Sequence, residues 1–240
     1  MSIRLTPIIT EFANSFHLLP PSVQRFDLVF YNETPQNEAS QPVDLVEGKI
    51  EDLFSAQLRN FSQQLTSLSL DAVIGKELFW PVNDHGNTQL PYWPNLTRFR
   101  LSYGGTSPSG EWYFERDPDE DVNIILPHYL QQLPEDQRPR HFRSKAIVKL
   151  IHEFYISAGR AAQRMPRLEY MRLRCFFALT HHEFEYEVKG NAATATWTDL
   201  APAGYAPDEC IVQVWRDAAF KHTGIASSLE VKLIGRTGTT

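Results

Sequence analysis

A six-residue pattern, apolar-x-x-apolar-x-Leu, returns four times along the chain and constrains its fold more than any other feature. It reads Leu65-Thr66-Ser67-Leu68-Ser69-Leu70, then Leu96-Thr97-Arg98-Phe99-Arg100-Leu101, then Leu168-Glu169-Tyr170-Met171-Arg172-Leu173, with a weaker copy at Val23-Gln24-Arg25-Phe26-Asp27-Leu28. The last four positions of each copy alternate polar and apolar, the period of a half-buried strand. Repetition of such a unit implies stacking, because one unit alone cannot bury its apolar side.

Helical segments lie between the copies. Leu45/Val46, Ile50, Leu53/Phe54, Leu58 and Phe61 share one helical face, although Gly48 weakens its front. Lys76 to Trp80 reads as one short turn stopped at Pro81, and Arg143 to Arg164 as a strong helix ending before Pro166. Helix, link and strand in rotation is the layout of a leucine-rich repeat, with strands inside and helices outside. The starts lie 42, 31 and 72 residues apart, longer than the usual 20–29, so the expected fold is an irregular α/β leucine-rich-repeat-like solenoid. Leu68/Leu70, Phe99/Leu101 and Met171/Leu173 should point inward. Arg25, Asp27, Ser67, Ser69, Asp71, Arg98, Arg100, Ser102, Tyr170, Arg172 and Arg174 should line the concave sheet.

The chain then changes character. Phe184 to Val188 and Ala193 to Trp197 alternate around a Lys189-Gly190-Asn191 turn, a hairpin signal. Asp208 to His222 reads as a helix ended by Gly224, and Leu229 to Ile234 as a last strand. The expected organisation is a solenoid over residues 1–178, closed by a β-β-α-β capping block over 179–240.

Phrases such as FSQQLTSLSLDAVI, YWPNLTRFRLSYGGTSPSGEWYFERDP and AGRAAQRMPRLEYMRL resemble the C-terminal region of F-box-type proteins of filamentous fungi. So does the sequence FEYEV…ATATW…VWRDAAFKHTG, and the similarity runs from about residue 23 to about 234. The resemblance implies a substrate-recognition-like surface. In that family an F-box docks on a Skp1 adaptor, but here His17-Leu18-Leu19-Pro20-Pro21 leads at once into a strand pattern. Adaptor binding is therefore not carried over.

Charge suggests where a partner would sit. Residues 138–174 hold ten Lys/Arg against two acids, a surplus of +8 in a chain of net −6, which leaves −14 elsewhere. Arg98, Arg100, Arg172 and Arg174, with Tyr170 among them, should gather on the concave face. Like charges on neighbouring strands need compensation. Glu185 and Glu187 could provide it from within, or an acidic or phosphorylated protein segment from outside. Nucleic acid is disfavoured by the acidic balance.

Chemistry is weaker. His181-His182-Glu183 lacks the i, i+4 spacing of a zinc helix and reads as a solvated loop, and Asp117, Asp119 and Asp121 lack the glycine of a calcium loop at Val122. The Gly104–Gly110 stretch reads as a flexible turn, and Tyr103, Trp112, Tyr113 and Phe114 as cover for a core edge. Cys175 and Cys210 read as buried thiols in a reducing compartment, cytoplasmic or nuclear. Neither cofactor nor metal is expected. The competing class is a hydrolase-like enzyme with a pocket near His181/His182.

Overall fold

A computed structural model describes residues 5–30, 34–82, 90–118, 128, 132–134, 138–177, 180–200, 204–226 and 228–235. Its elements, in chain order, begin with helix α1 (Leu5–Ser15), strand β1 (Arg25–Phe30), α2 (Leu53–Ser62), β2 (Ser67–Ala72) and β3 (Arg98–Tyr103). A short ribbon, β4 (Phe114–Arg116) with β5 (Arg143–Ala146), precedes α3 (Val148–Ala162). Then come β6 (Tyr170–Phe177), β7 (Thr180–Lys189), β8 (Ala192–Asp199), α4 (Glu209–Thr223) and β9 (Leu229–Gly235).

The four hexads become four adjacent parallel strands. β1, β2, β3 and β6 stand side by side, aligned so that Phe26, Leu68, Phe99 and Met171 form one rung and Leu28, Leu70, Leu101 and Leu173 the next. Backbone at the strand entries helps set this alignment. The Gln24 carbonyl accepts from the N–H groups of Thr66 and Ser67, that of Thr66 from Thr97 and Arg98, and that of Thr97 from Glu169 and Tyr170. At the second hexad position the threonine hydroxyls add to it, Thr66 donating to Gln24 and Thr97 to Thr66. With a side-chain period of two, a slip of one residue would turn every leucine to the wrong face.

Past β6 the sheet continues without a break through β7 and β8, both antiparallel, and ends with β9 parallel to β8. The mixed α/β class and the β-β-α-β order expected from the sequence are present. Aromatic contacts put all the helices against the same rows. Phe12 of α1 and Phe16 in the turn that follows it meet Phe30 and Phe26, and Phe54 and Phe61 of α2 meet the same two rings. Phe154 of α3 packs on Tyr103, Tyr155 on Phe184, and Trp215 of α4 on Phe184 and Tyr186. Among the described elements, every helix thus covers one face of the sheet, and the other face carries no helix.

Some local expectations fail for identifiable reasons. The helix expected from Leu45 begins only at Leu53, because Glu47 and Gly48 take left-handed backbone and Asp52 caps the first turn through Phe54 and Ser55. Arg143–Ala146, expected as helix, is the strand β5, tied down by buried Glu38, whose carboxylate accepts from the Phe142 and Arg143 N–H groups. Cys210 is exposed, whereas Cys175 is buried as expected. Tyr103, Trp112, Tyr113 and Phe114 are all buried in the core. Of the calcium-loop residues, Asp117 is buried, while Asp119, Asp121 and Val122 lie outside the described residues.

Candidate functional site on the open sheet face

Strand alternation delivers Arg98, Arg100, Tyr170, Arg172 and Arg174 to the open face, as the sequence implied. The alignment makes three rows there: Arg98–Tyr170–Glu187, Arg100–Arg172–Glu185 and Ser102–Arg174–Glu183. Cations on β3 and β6 therefore confront carboxylates on β7.

The compensation is uneven. Arg172 Nη2 donates to Glu183 at 2.6 Å, and its Nε lies 3.7 Å from Glu185. Arg174 Nε lies 3.5 Å from the same Glu183 oxygen. The hydrogen bond from Arg172 to Glu183 raises the guanidinium pKa above its ordinary value. Glu187 is instead taken by Lys189 at 2.8 Å. Internal neutralisation thus runs through Glu183 and Glu185, not through the Glu185/Glu187 pair expected from sequence. Glu183 is largely buried and holds two guanidiniums, a role visible only once β6 and β7 are aligned.

Arg98 and Arg100 differ from these two. Both are exposed, and neither makes an ion pair among the described residues. Arg100 sits over the Tyr170 ring at 5.7 Å, a cation–π distance. Tyr170 donates its hydroxyl to Glu185 at 2.5 Å, and partial burial together with that bond pushes its pKa up to about 12. A groove of about 360 Å³ lies beside them, bounded by Arg98, Arg100, Tyr170 and the Glu187–Lys189 end of β7.

The competing histidine site takes another form. His181 and His182 lie within β7 rather than in a solvated loop, so alternation sends them to opposite faces and they cannot share one metal ion. Among the described residues no group of His, Cys, Asp and Glu could hold a metal. His182 is fully buried, its ring 4.8 Å from that of Tyr205 and 5.7 Å from that of Tyr155. Its row reads Cys175–His182–Asp199 across three adjacent strands, the residue types of a nucleophile, a base and an orienting acid. Sequence spacing carries no sign of this row, because it exists only through strand alignment.

The geometry of the row favours packing. His182 Nδ1 lies 3.6 Å from Asp199, beyond a hydrogen bond. The Cys175 thiol is directed at the Gly104 carbonyl, at 3.5 Å. Burial drives its pKa far up, so it stays protonated and is a poor nucleophile.

Residues 139–238, less than half of the chain, match a family described as one of unknown function, DUF6546. The matched stretch is similar to that family across β5 to β9 and includes Tyr170, Arg172, Arg174 and their β7 partners, but not Arg98 or Arg100. No curated protein and no solved structure matches the chain.

Proposed function

We propose that the chain is a protein-interaction module, an irregular leucine-rich-repeat-like solenoid whose open sheet face binds an acidic or phosphorylated segment of a partner protein. Support for the solenoid reading comes from the four aligned parallel strands, from the carbonyl and threonine bonds repeated at their entries, and from the one-sided helical cover. The long, unequal spacing and the antiparallel β7 and β8 make it an irregular member of that class. Likeness to the substrate-recognition region of F-box proteins agrees with this reading as analogy only.

The observation that carries the binding surface is the difference between the two arginine pairs. Arg172 and Arg174 are neutralised by Glu183 and Glu185, while Arg98 and Arg100 are exposed with no carboxylate in ion-pair range among the described residues. Two guanidiniums two residues apart on one strand face suit bidentate contact with carboxylate or phosphate oxygens. Tyr170 supplies a flat apolar floor beside them.

The test is fluorescence anisotropy with an array of peptides matched in length, neutral, Glu-rich or carrying phosphoserine. The intact chain should select the acidic and phosphorylated peptides, with affinity falling as salt rises. Arg98→Glu/Arg100→Glu should weaken binding at least tenfold, whereas Arg174→Gln should change it less. Equal binding of neutral peptides, or indifference to the double substitution, would remove the open face as the docking surface.

A further inference from the structure

A second site lies away from the open face, beyond the carboxyl ends of β2 and β3. In open α/β sheets this is the region where the connecting segments leave room for ligands. Here the segments after β2 (Gly75 to Glu77) and after β3 (Ser107 to Glu111) enclose a cavity of about 230 Å³, with the approach to α2 and the first turns of α3 as its other walls.

The lining has two characters. Ile50, Val82 and Phe154 offer apolar surface, and Ile50 and Val82 are exposed large hydrophobics at its rim. Against them stand four carboxylates, Asp52, Glu77, Glu111 and Glu153, with only two ammonium groups, Lys49 and Lys76. Lys76 is held by Glu153 at 2.5 Å; of the remaining carboxylates Asp52 is buried, Glu77 half-buried and Glu111, like Lys49, exposed at the rim.

These three are not equivalent. The oxygens of Asp52 are filled by the Phe54 and Ser55 N–H groups and the Ser55 hydroxyl, so it contributes charge but little free acceptor capacity. Glu111 accepts from Ser109 at 3.0 Å. Glu77 folds back over Gly75, one oxygen only 2.0 Å from where a Cβ at that glycine would sit; its carboxylate is bonded by its own backbone N–H and, among the described residues, by no side-chain donor. Burial, reinforced by the neighbouring Asp52 charge, raises the pKa of Glu77.

Both halves of the lining describe one ligand class. No described group of residues could hold a metal ion, and apolar walls beside carboxylate acceptors match methylenes ending in a nitrogen cation. At about 30 Å³ per water-sized group the space suits roughly seven or eight heavy atoms. We propose that this cavity binds a short aliphatic ammonium compound, its charged head between Glu77 and Glu111 and its methylenes against Ile50, Val82 and Phe154.

The probe is 1,5-diaminopentane, titrated into the full chain and followed by amide chemical shifts, with 1,5-pentanediol and glutarate as neutral and anionic counterparts. The diamine should give a saturable response centred on Gly75 to Glu77 and Ser107 to Glu111. Glu77→Gln should weaken it about tenfold or more, the loss expected for one charge-assisted hydrogen bond. Gly75→Ala, which displaces the carboxylate, should weaken it as well, while Arg98→Glu/Arg100→Glu should not. Unfolding midpoints of the two site variants report whether they remain folded. Absence of saturation, equal binding of the diol or glutarate, or full diamine affinity in folded Glu77→Gln would each overturn the assignment.

Discussion

The histidine near the end of α4 should control how stability depends on pH. His222 Nδ1 lies 2.7 Å from the Tyr186 hydroxyl, and its Nε2 lies 3.1 Å and 3.0 Å from the carbonyls of Ala162 and Met165 at the end of α3. Carbonyls only accept, so the proton sits on Nε2 and the tyrosine donates to Nδ1. One neutral imidazole therefore joins β7, α3 and α4, three elements far apart in the chain. Replacing His222 by Ala strands the fully buried Tyr186 hydroxyl, while the two carbonyls keep their bonds from the Met165 and Leu168 N–H groups. At about 1–3 kcal/mol for that one unsatisfied buried group, the loss should be about 2 kcal/mol.

Tyr186→Phe removes one bond and should lose about 1 kcal/mol. In the double variant the two losses should fall short of additivity by about 1 kcal/mol, since the bond they share is lost only once. Burial holds the His222 pKa below its ordinary 6.5, so on acidification the unfolded chain takes up this proton first. The contribution of neutral His222 is present above pH 6.5 and declines as pH falls from there toward the folded value. Urea unfolding followed by fluorescence of Trp215, whose ring lies 5.1 Å from Tyr186, measures all of this. Additive losses, or an identical acid slope in wild type and His222→Ala, would refute the tautomer and the joint it makes.

Two further substitutions probe the packing. Gly159→Ala would set a Cβ 2.5 Å from Val214 Cγ1 and 3.3 Å from the Trp215 ring. Overpacking should outweigh the gain of about 1 kcal/mol in helix propensity, for a net loss of about 1–2 kcal/mol in urea unfolding. Glu38→Ala leaves the Phe142 and Arg143 N–H groups and His141 without their shared acceptor. It should cost about 3 kcal/mol and speed hydrogen exchange at Phe142 and Arg143.

What could be read in advance follows from the range of each interaction. The hexads fixed both faces of four strands because alternation is local, and the outward arginines followed from it. Asp208 and Gly224 marked the ends of α4 for the same reason. Three features were hidden. The charge balance depends on Arg172 facing Glu185 and Arg174 facing Glu183, which the hairpin signal alone does not set. His182 appeared solvated because its neighbours are polar, although strand parity buries it. Arg143–Ala146 carries helical periodicity backwards from Ile147, and it is held as strand by pairing with β4 and by Glu38, more than a hundred residues earlier. Nor does the spacing of Glu77 and Glu111 indicate that their loops meet at one end of the sheet.

Because the described helices clothe only one side of the sheet, adjacent residues of the same strand serve separate ends. Leu68, Phe99, Leu101 and Met171 answer to the core, whereas Ser69, Arg98, Arg100 and Thr196 answer only to their open-face neighbours and to solvent. Mutational drift can then rewrite every second letter, altering what docks there, while the letters between them preserve the architecture.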